Sequence, residues 1–261
     1  VRTIIEMVHH TRLDCLGAPA AMMRQSLANA CWHAAHRSAF GKILIEQPLM
    51  RAVLADMAIE SEAATALAMR IARSFDEADV PGEVGERARL FSRLATPVAK
   101  YWMNKRLPEL VYEAMECHGG AGYIEEGIMA RIFRQSPLNS IWEGSGNVIC
   151  LDVLRAMGRE PACVEVLLDE LKAAAGADKR YDRFLAGLQE RFAKPIEEGQ
   201  ARWLCEQLGT ALQASLLLRN GPAAVADAFC AARLEGEGRC YGALPAGVDV
   251  DALLSRAMPQ V

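Results

Sequence analysis

From Arg12 to about Phe40, the apolar positions Leu13, Leu16, Ala20, Met23, Leu27, Ala30 and Ala34 recur at steps of three and four. That is the period at which side chains line one face of an α-helix, so the spacing predicts one long helix with a buried stripe, stopped at Gly41. A second helix is predicted to open at Pro48, where a missing backbone N–H costs nothing. It carries Leu54, Met57, Ala58, Ala66, Met69 and Ala72, and breaks at Val80, Pro81 and Gly82. A third runs from about Glu86 to Cys117. Pro97 and Pro108 fall inside it and are expected to kink or divide it, because each ring removes a donor and crowds the preceding turn.

Gly119, Gly120 and Gly122 predict a loop, and a shorter helix follows near 127–134. After Ser136 and Pro137 the pattern predicts an extended stretch as far as Gly144, Ser145 and Gly146, with a helix from Asn147 to about Met157. Past Pro161 the periodic segments shorten: about 162–174, 179–193, 195–219, 222–235 and 249–257. The expected fold is all-α. Residues 1–160 form a helical bundle with antiparallel long helices, and residues 161–261 form an additional helical subdomain.

Composition supports this reading. Of 261 residues 52% are hydrophobic and only 6% aromatic, and the abundant Ala, Leu, Met, Arg and Glu lose little freedom in a helix. Charges interrupt every apolar run before it could cross a bilayer, so a cytoplasmic protein with no membrane partner is expected. The cysteines at 15, 31, 117, 150, 163, 205, 230 and 240 contain no CxxC pair, which favours reduced thiols and no metal site. A formal net charge of −4 argues against wholesale attraction to nucleic acid and leaves room only for a local basic patch. The chain opens at Val1 inside a helical pattern, and we read it as part of a longer protein.

Chemistry concentrates in residues 139–147, NSIWEGSGN. There an acid, Glu143, precedes a glycine-bounded turn into a helix, so backbone N–H groups and the small side chains of Ser145 and Asn147 approach a ligand closely. Ile141 and Trp142 are placed to exclude water from the carboxylate, which raises its proton affinity and suits it to act as a base. Read without further context, Glu143 is a solvated turn acid.

This segment resembles the acyl-CoA dehydrogenase motif of an aromatic residue, Glu, Gly and Thr followed two positions later by Gln. Four more segments keep the family's order: Thr11 and Arg12, residues 37–42 (RSAFGK), 54–57 (LADM), and 115–123 (MECHGGAGY). The resemblance implies that Glu143 removes the α-proton of an acyl-CoA thioester and that Arg12, with Trp142 nearby, lines the substrate cavity. It implies that Arg37 and Phe40 reach the flavin adenine dinucleotide (FAD) of a neighbouring subunit, the guanidinium meeting pyrophosphate and the ring stacking. Gly119 and Gly120 then allow close backbone approach to FAD, Gln47 stands beside a position where a flavin-contacting Gln is common, and Ser145 and Asn147 stand where Thr and Gln meet the adenosine part. Glu116 departs from the family's Gln, placing a carboxylate beside phosphate.

The wording of 9–15 (HHTRLDC) and 139–155 (NSIWEGSGNVICLDVLR), together with the extension past 160, is similar to the AidB-type, alkylation-response branch of that family. The resemblance implies a homotetramer, FAD in the full-length protein, and double-stranded DNA as a partner. A piece without the N-terminal helical and β domains is expected to form a helical oligomer that does not retain flavin. The candidate phosphate-binding residues are Arg155 and a stripe of Arg180, Arg183, Arg191 and Lys194 on one helix face. From residue 158 onward, 12 Lys and Arg stand against 15 Asp and Glu, a net of −3, so a solvated face is the plain reading of that stripe. Three readings follow: a DNA-associated AidB-like flavoprotein, an acyl-CoA dehydrogenase of unusual substrate, and an oligomerisation module.

Overall fold

The computed structural model describes residues 2–192 and 194–259. Three long helices dominate: α1 (Arg2–His36), α2 (Pro48–Ala78) and α3 (Glu83–Cys117). Each packs against the other two. Leu16, Met23, Leu27, Ala30 and Ala34 of the predicted stripe are buried, as are Leu54, Met57, Ile59, Leu67 and Ile71 of α2.

Helix α1 ends at His36, short of the predicted Gly41, because the chain turns into a small antiparallel hairpin. Its strands are β1 (Ser38–Ala39) and β2 (Lys42–Ile43), with Ser38 opposite Ile43. Phe40 and Gly41 both take positive φ, 53° and 80°, which is the two-residue turn that matches strand twist. Glycine accepts that geometry freely, whereas Phe40 adopts it at a cost.

Of the two expected effects, Pro97 and Pro108 do not divide α3, which is one helix through both. Each proline forfeits one hydrogen bond, but Pro97 lies among the buried Leu94, Ala95, Val98, Ala99 and Met103. Burial at this density, at about 25 cal/mol per Å² of apolar area, outweighs a local defect.

Short helices follow: α4 (Gly120–Tyr123), α5 (Ile128–Gln135) and α6 (Gly146–Arg159). The stretch predicted to be extended is instead a 3-10 turn at Leu138–Ser140 followed by turns. Lys100, described below, gathers the carbonyls of that segment and draws it tight. The later helices are α7 (Ala162–Lys172), α8 (Lys179–Phe192), α9 (Ala201–Asn220), α10 (Ala223–Phe229), a π-helical turn (Cys230–Leu234) and α11 (Val250–Ala257). Helix α9 begins after a 3-10 turn at Glu198–Gln200, later than the predicted 195.

Helices α7 and α9 pack on α3, and α9 and α11 pack on α2, so one apolar cluster continues from the bundle into residues 161–261. Gly209 of α9 lies so close to α3 that an added Cβ would sit 2.7 Å from the Trp102 ring. An ionic cluster seals the same junction. Arg233 donates to Asp56 (2.5 Å) and Glu60 (3.2 Å), Arg106 donates to Glu60 (3.1 Å), and the Gly242 amide donates to Asp56 (2.9 Å). Two acids and two guanidiniums balance, so the buried charges are compensated. Among the described residues no helix is long and apolar enough to cross a membrane.

Candidate functional site

The Glu143 turn is built on Lys100. This lysine is 1% exposed in the middle of α3, and its Nζ donates to the carbonyls of Asn139 (3.0 Å), Trp142 (2.9 Å) and Gly144 (2.8 Å). Three donors meet three acceptors, which satisfies the ammonium. Burial still draws its pKa below the usual lysine range. The ring of carbonyls fixes the turn in a conformation that the sequence alone would not choose: Glu143 has φ 55° and Gly144 φ 107°. Further bonds brace it. Trp142 Nε1 donates to Asn139 Oδ1 (2.8 Å), and Ser140 Oγ donates to the Asn104 carbonyl (2.9 Å).

Arg12 stands beside this turn but does not meet the Glu143 carboxylate. Its Nε donates to the Glu143 backbone carbonyl (3.2 Å) and its Nη1 to Asp152 Oδ2 (2.6 Å). Arg93 donates to the other oxygen of Asp152 (3.2 Å), and Arg155 lies 4.0 Å away. Burial opposes the charge on Asp152, but Arg93 and Arg12 together hold its carboxyl below the ordinary range. These bonds tie Arg12 to α6 and to the turn that carries Glu143. The Glu143 carboxylate makes no hydrogen bond or ion pair among the described residues and is half-buried, with Trp142 exposed beside it.

Next to Arg12, His9 stacks on Phe75 at 4.8 Å between centroids. Burial, with Arg93 and Arg12 adding to it, pulls its pKa down to about 4. Helix α6 starts just past Glu143, with Ser145 as N-cap, and Ser145 and Asn147 are exposed on that side.

The other candidate flavin residues gather at the far end of α1. Arg37 is exposed and has no acidic partner among the described residues, and Phe40 is 97% exposed at the hairpin tip. Gln47 Nε2 donates to the Ala39 carbonyl (3.0 Å), anchoring the hairpin to the start of α2. The His33 and His118 rings lie 4.7 Å apart, which brings the Gly119 and Gly120 turn to this end. Gly119 takes φ 61°, and an added Cβ at Gly119 or Gly120 would meet nothing within 4 Å, so the backbone is open to a ligand there. Glu116 is exposed nearby. From Arg12 to His36, twenty-four residue steps at about 1.5 Å each separate the two regions by about 36 Å. The predicted residues thus form two groups, one around Glu143 and one around Arg37, Phe40 and Gly119.

Two of the four stripe cations are paired with acids. Arg180 donates to Asp178 (2.6 Å) and Asp227 (2.7 Å). Arg183 pairs with Glu235, and Arg191 donates to Gln200 and the Pro195 carbonyl. Lys194 is exposed but lies beyond the end of α8 at Phe192, so it does not share the helix face predicted for it. Arg155 is 56% exposed.

Two structural elements escaped sequence reading, Lys100 and the acids Asp56 and Glu60 as a charge cluster. Their common signal is a charge on an apolar helix face: Lys100 within LATPVAKYWM, and Asp56 four residues before Glu60 on the buried side of α2.

Comparison with known proteins identifies the family. Residues 1–158 match the family profile of the acyl-CoA dehydrogenase C-terminal domain. Over 238 residues the chain is 40% identical to the putative acyl-CoA dehydrogenase AidB of Escherichia coli, covering 91% of this chain and 43% of that protein. The fold superposes on Caenorhabditis elegans ACDH-11 in complex with C11-CoA with a TM-score of 0.78 at 24% identity, covering 90% of this chain and 44% of that one. It also superposes on a Bacillus anthracis acyl-CoA dehydrogenase complexed with FAD, with a TM-score of 0.59 at 18% identity, over 97% of this chain and 47% of that one. The chain spans less than half the length of these relatives. With its bundle, its Glu143 turn and its glycine turn in the family's order, this chain belongs to the acyl-CoA dehydrogenase family, and among its relatives it is similar to AidB.

Proposed function

We propose that this chain is the C-terminal helical part of an AidB-like, FAD-dependent acyl-CoA dehydrogenase, and that it contributes to two different FAD sites in a homotetramer. The observation that carries the reading is the division of the candidate residues between the level of Arg12 on α1 and the C-terminal end of that helix, about 36 Å apart. One FAD is too short to engage both regions of a single chain, so each site draws on two subunits. The exposed Phe40, Leu49, Tyr123 and Ile124 on or next to the hairpin and glycine turn supply apolar surface for such an assembly.

The residues at each end fit FAD. Arg37, free of any acid among the described residues, and the open backbone at Gly119 and Gly120 suit a pyrophosphate. Ser145 and Asn147, at the start of α6, present small polar groups and helix N–H donors. When bound, FAD accepts the hydride that leaves the acyl β-carbon. Glu143 takes the α-proton of an acyl-CoA thioester, and its half-buried setting beside Trp142 closes as the remaining walls of the cavity, from elsewhere in the full-length protein, exclude water. Lys100 and Arg12 hold the turn that aims it.

By the same reasoning, these 261 residues alone form helical oligomers and retain no FAD. Contact with duplex DNA through phosphates is a further proposal inherited from the AidB likeness. Arg155 and Lys194, the less engaged cations of the candidate set, are its better carriers. The test is the full-length protein's flavin absorbance and its bleaching by a panel of acyl-CoA thioesters, with Glu143→Gln in parallel. Bound flavin with bleaching lost in Glu143→Gln supports the reading. Bleaching at an unchanged rate in that variant overturns it.

A further inference from the structure

A cavity of about 740 Å³ opens where α1 and α2 of the bundle meet α9 and α11 of the extension. That volume lies within the about 300–1,000 Å³ typical of small-molecule sites. Leu27, Ala58, Ala66, Leu216 and Leu217 supply its apolar wall. Arg24, Arg70, Arg73 and Arg256 bring four guanidiniums to it against a single lining acid, Glu62. None of the candidate flavin or acyl-CoA residues lines this cavity. Arg24 lies midway along α1 between Arg12 and His36, about 18 Å from each.

Acids account for three of the four guanidiniums. Arg256 donates to both oxygens of Glu62 (2.8 and 3.0 Å), and Arg73 donates to Glu77 (2.7 Å). Arg70 donates to both oxygens of Glu170 (2.9 and 3.0 Å), an acid that also accepts from Arg219 (2.6 Å). Arg24 has no acidic partner among the described residues. Its Nη1 donates to the Ala257 carbonyl at the end of α11 (2.9 Å), which orients the guanidinium and leaves its other N–H groups for a ligand. One positive charge is thus uncompensated beside an apolar wall.

We propose that this cavity binds an amphipathic monoanion, a carboxylate on a hydrocarbon chain, with the carboxylate on Arg24 and the chain along Leu27, Leu216 and Leu217. A guanidinium meets a carboxylate through charge-assisted, paired N–H donors. A small inorganic anion would leave the apolar wall uncovered, a neutral chain would leave Arg24 without a counter-charge, and a dianion would exceed the one charge that the acids do not balance. Because the walls come from both the bundle and the extension, the occupant bridges α1 and α2 to α9.

The experiment is photolabelling of the folded, full-length protein with decanoate that carries a diazirine at the end of its chain, followed by tryptic digestion and mass spectrometry. The label is expected on peptides 52–70 and 203–219, which contain Ala58, Ala66, Leu216 and Leu217. Unlabelled decanoate is expected to protect both peptides. Decanol, which lacks the charge, and acetate, which lacks the chain, are expected to protect neither at the same concentration. Arg24→Gln keeps an N–H donor for the Ala257 carbonyl but removes the charge, so half-maximal labelling is expected to need about tenfold more probe. Unchanged labelling in that variant overturns the proposal. In the unmodified sequence, equal protection by decanol and decanoate, or label confined to peptide 135–155 around Glu143, overturns it independently of whether the variant folds.

Discussion

At the scale of single residues, the turn that carries Glu143 depends on a lysine. Lys100 offers three N–H donors to three carbonyls that would otherwise compete for water inside a packed helix junction. Lys100→Met keeps the length and the apolar stem but strands those carbonyls, and is expected to cost about 2 to 4 kcal/mol in denaturant unfolding. Because Lys100 gathers the carbonyls of the turn in which Glu143 and Gly144 take positive φ, the same variant should lower kcat more than it raises KM for any acyl-CoA that the full-length protein turns over. Equal rates with reduced stability would make Lys100 purely structural. His9 gives a pH dependence whose sign is fixed. Its pKa is about 4 in the fold against an ordinary 6.5, so between those values the unfolded chain binds the extra proton. Stability from this group is therefore present above about 6.5 and is lost as pH falls toward 4. His9→Phe keeps the stacking on Phe75, and its unfolding midpoint is expected to fall less steeply over that window than the unmodified protein's.

At the scale of elements, the long helices were legible because their apolar stripes repeat at three and four residues, and most of those stripe residues are buried. Boundaries failed where tertiary packing overrode a local signal. Pro97 and Pro108 look like breaks, yet the buried flank of α3 carries the helix through both. The turn between Pro137 and Gly144 reads as extended because its organiser, Lys100, lies about forty positions earlier in the chain. The motif around Glu143 was legible in the sequence as a candidate site, whereas the pairing of Arg12 with Asp152 is seen only in the fold. Helix α8 makes the same point about charge. Its face of arginines is visible in the sequence, whereas Asp227 and Glu235, which pair with Arg180 and Arg183, come from the distant segment after α9. Arg180→Ala combined with Arg183→Ala should accordingly leave the slope of duplex-DNA affinity against salt unchanged in the full-length protein. A slope reduced by roughly two would show both arginines on phosphate.

At the scale of the whole molecule, the length of α1 turns a set of site residues into a statement about assembly. Glu143 lies beside Arg12 and Arg37 follows the C-terminal end of α1, about 36 Å along the helix, so in the proposed tetramer each chain gives its Glu143 to one FAD and its Arg37 to another. Two inactive variants, Glu143→Gln and Arg37→Ala, should then rescue each other when their subunits are mixed. In a mixed pair, one site combines the intact Glu143 of the Arg37→Ala subunit with the intact Arg37 of its neighbour, while the other site lacks both. Random pairing of equal amounts makes half of the pairs mixed, and half of the sites in those are intact, so about a quarter of the activity of the unmodified protein is expected. If both residues served the same site within one chain, every site in the mixture would carry one defect and no activity would return. Co-expression with two affinity tags, selection of particles carrying both, and measurement of bound flavin and acyl-CoA turnover separates the two outcomes. Absence of rescue in particles shown to contain both subunits would remove the division of the site between chains, and with it the role assigned to the hairpin and glycine turn.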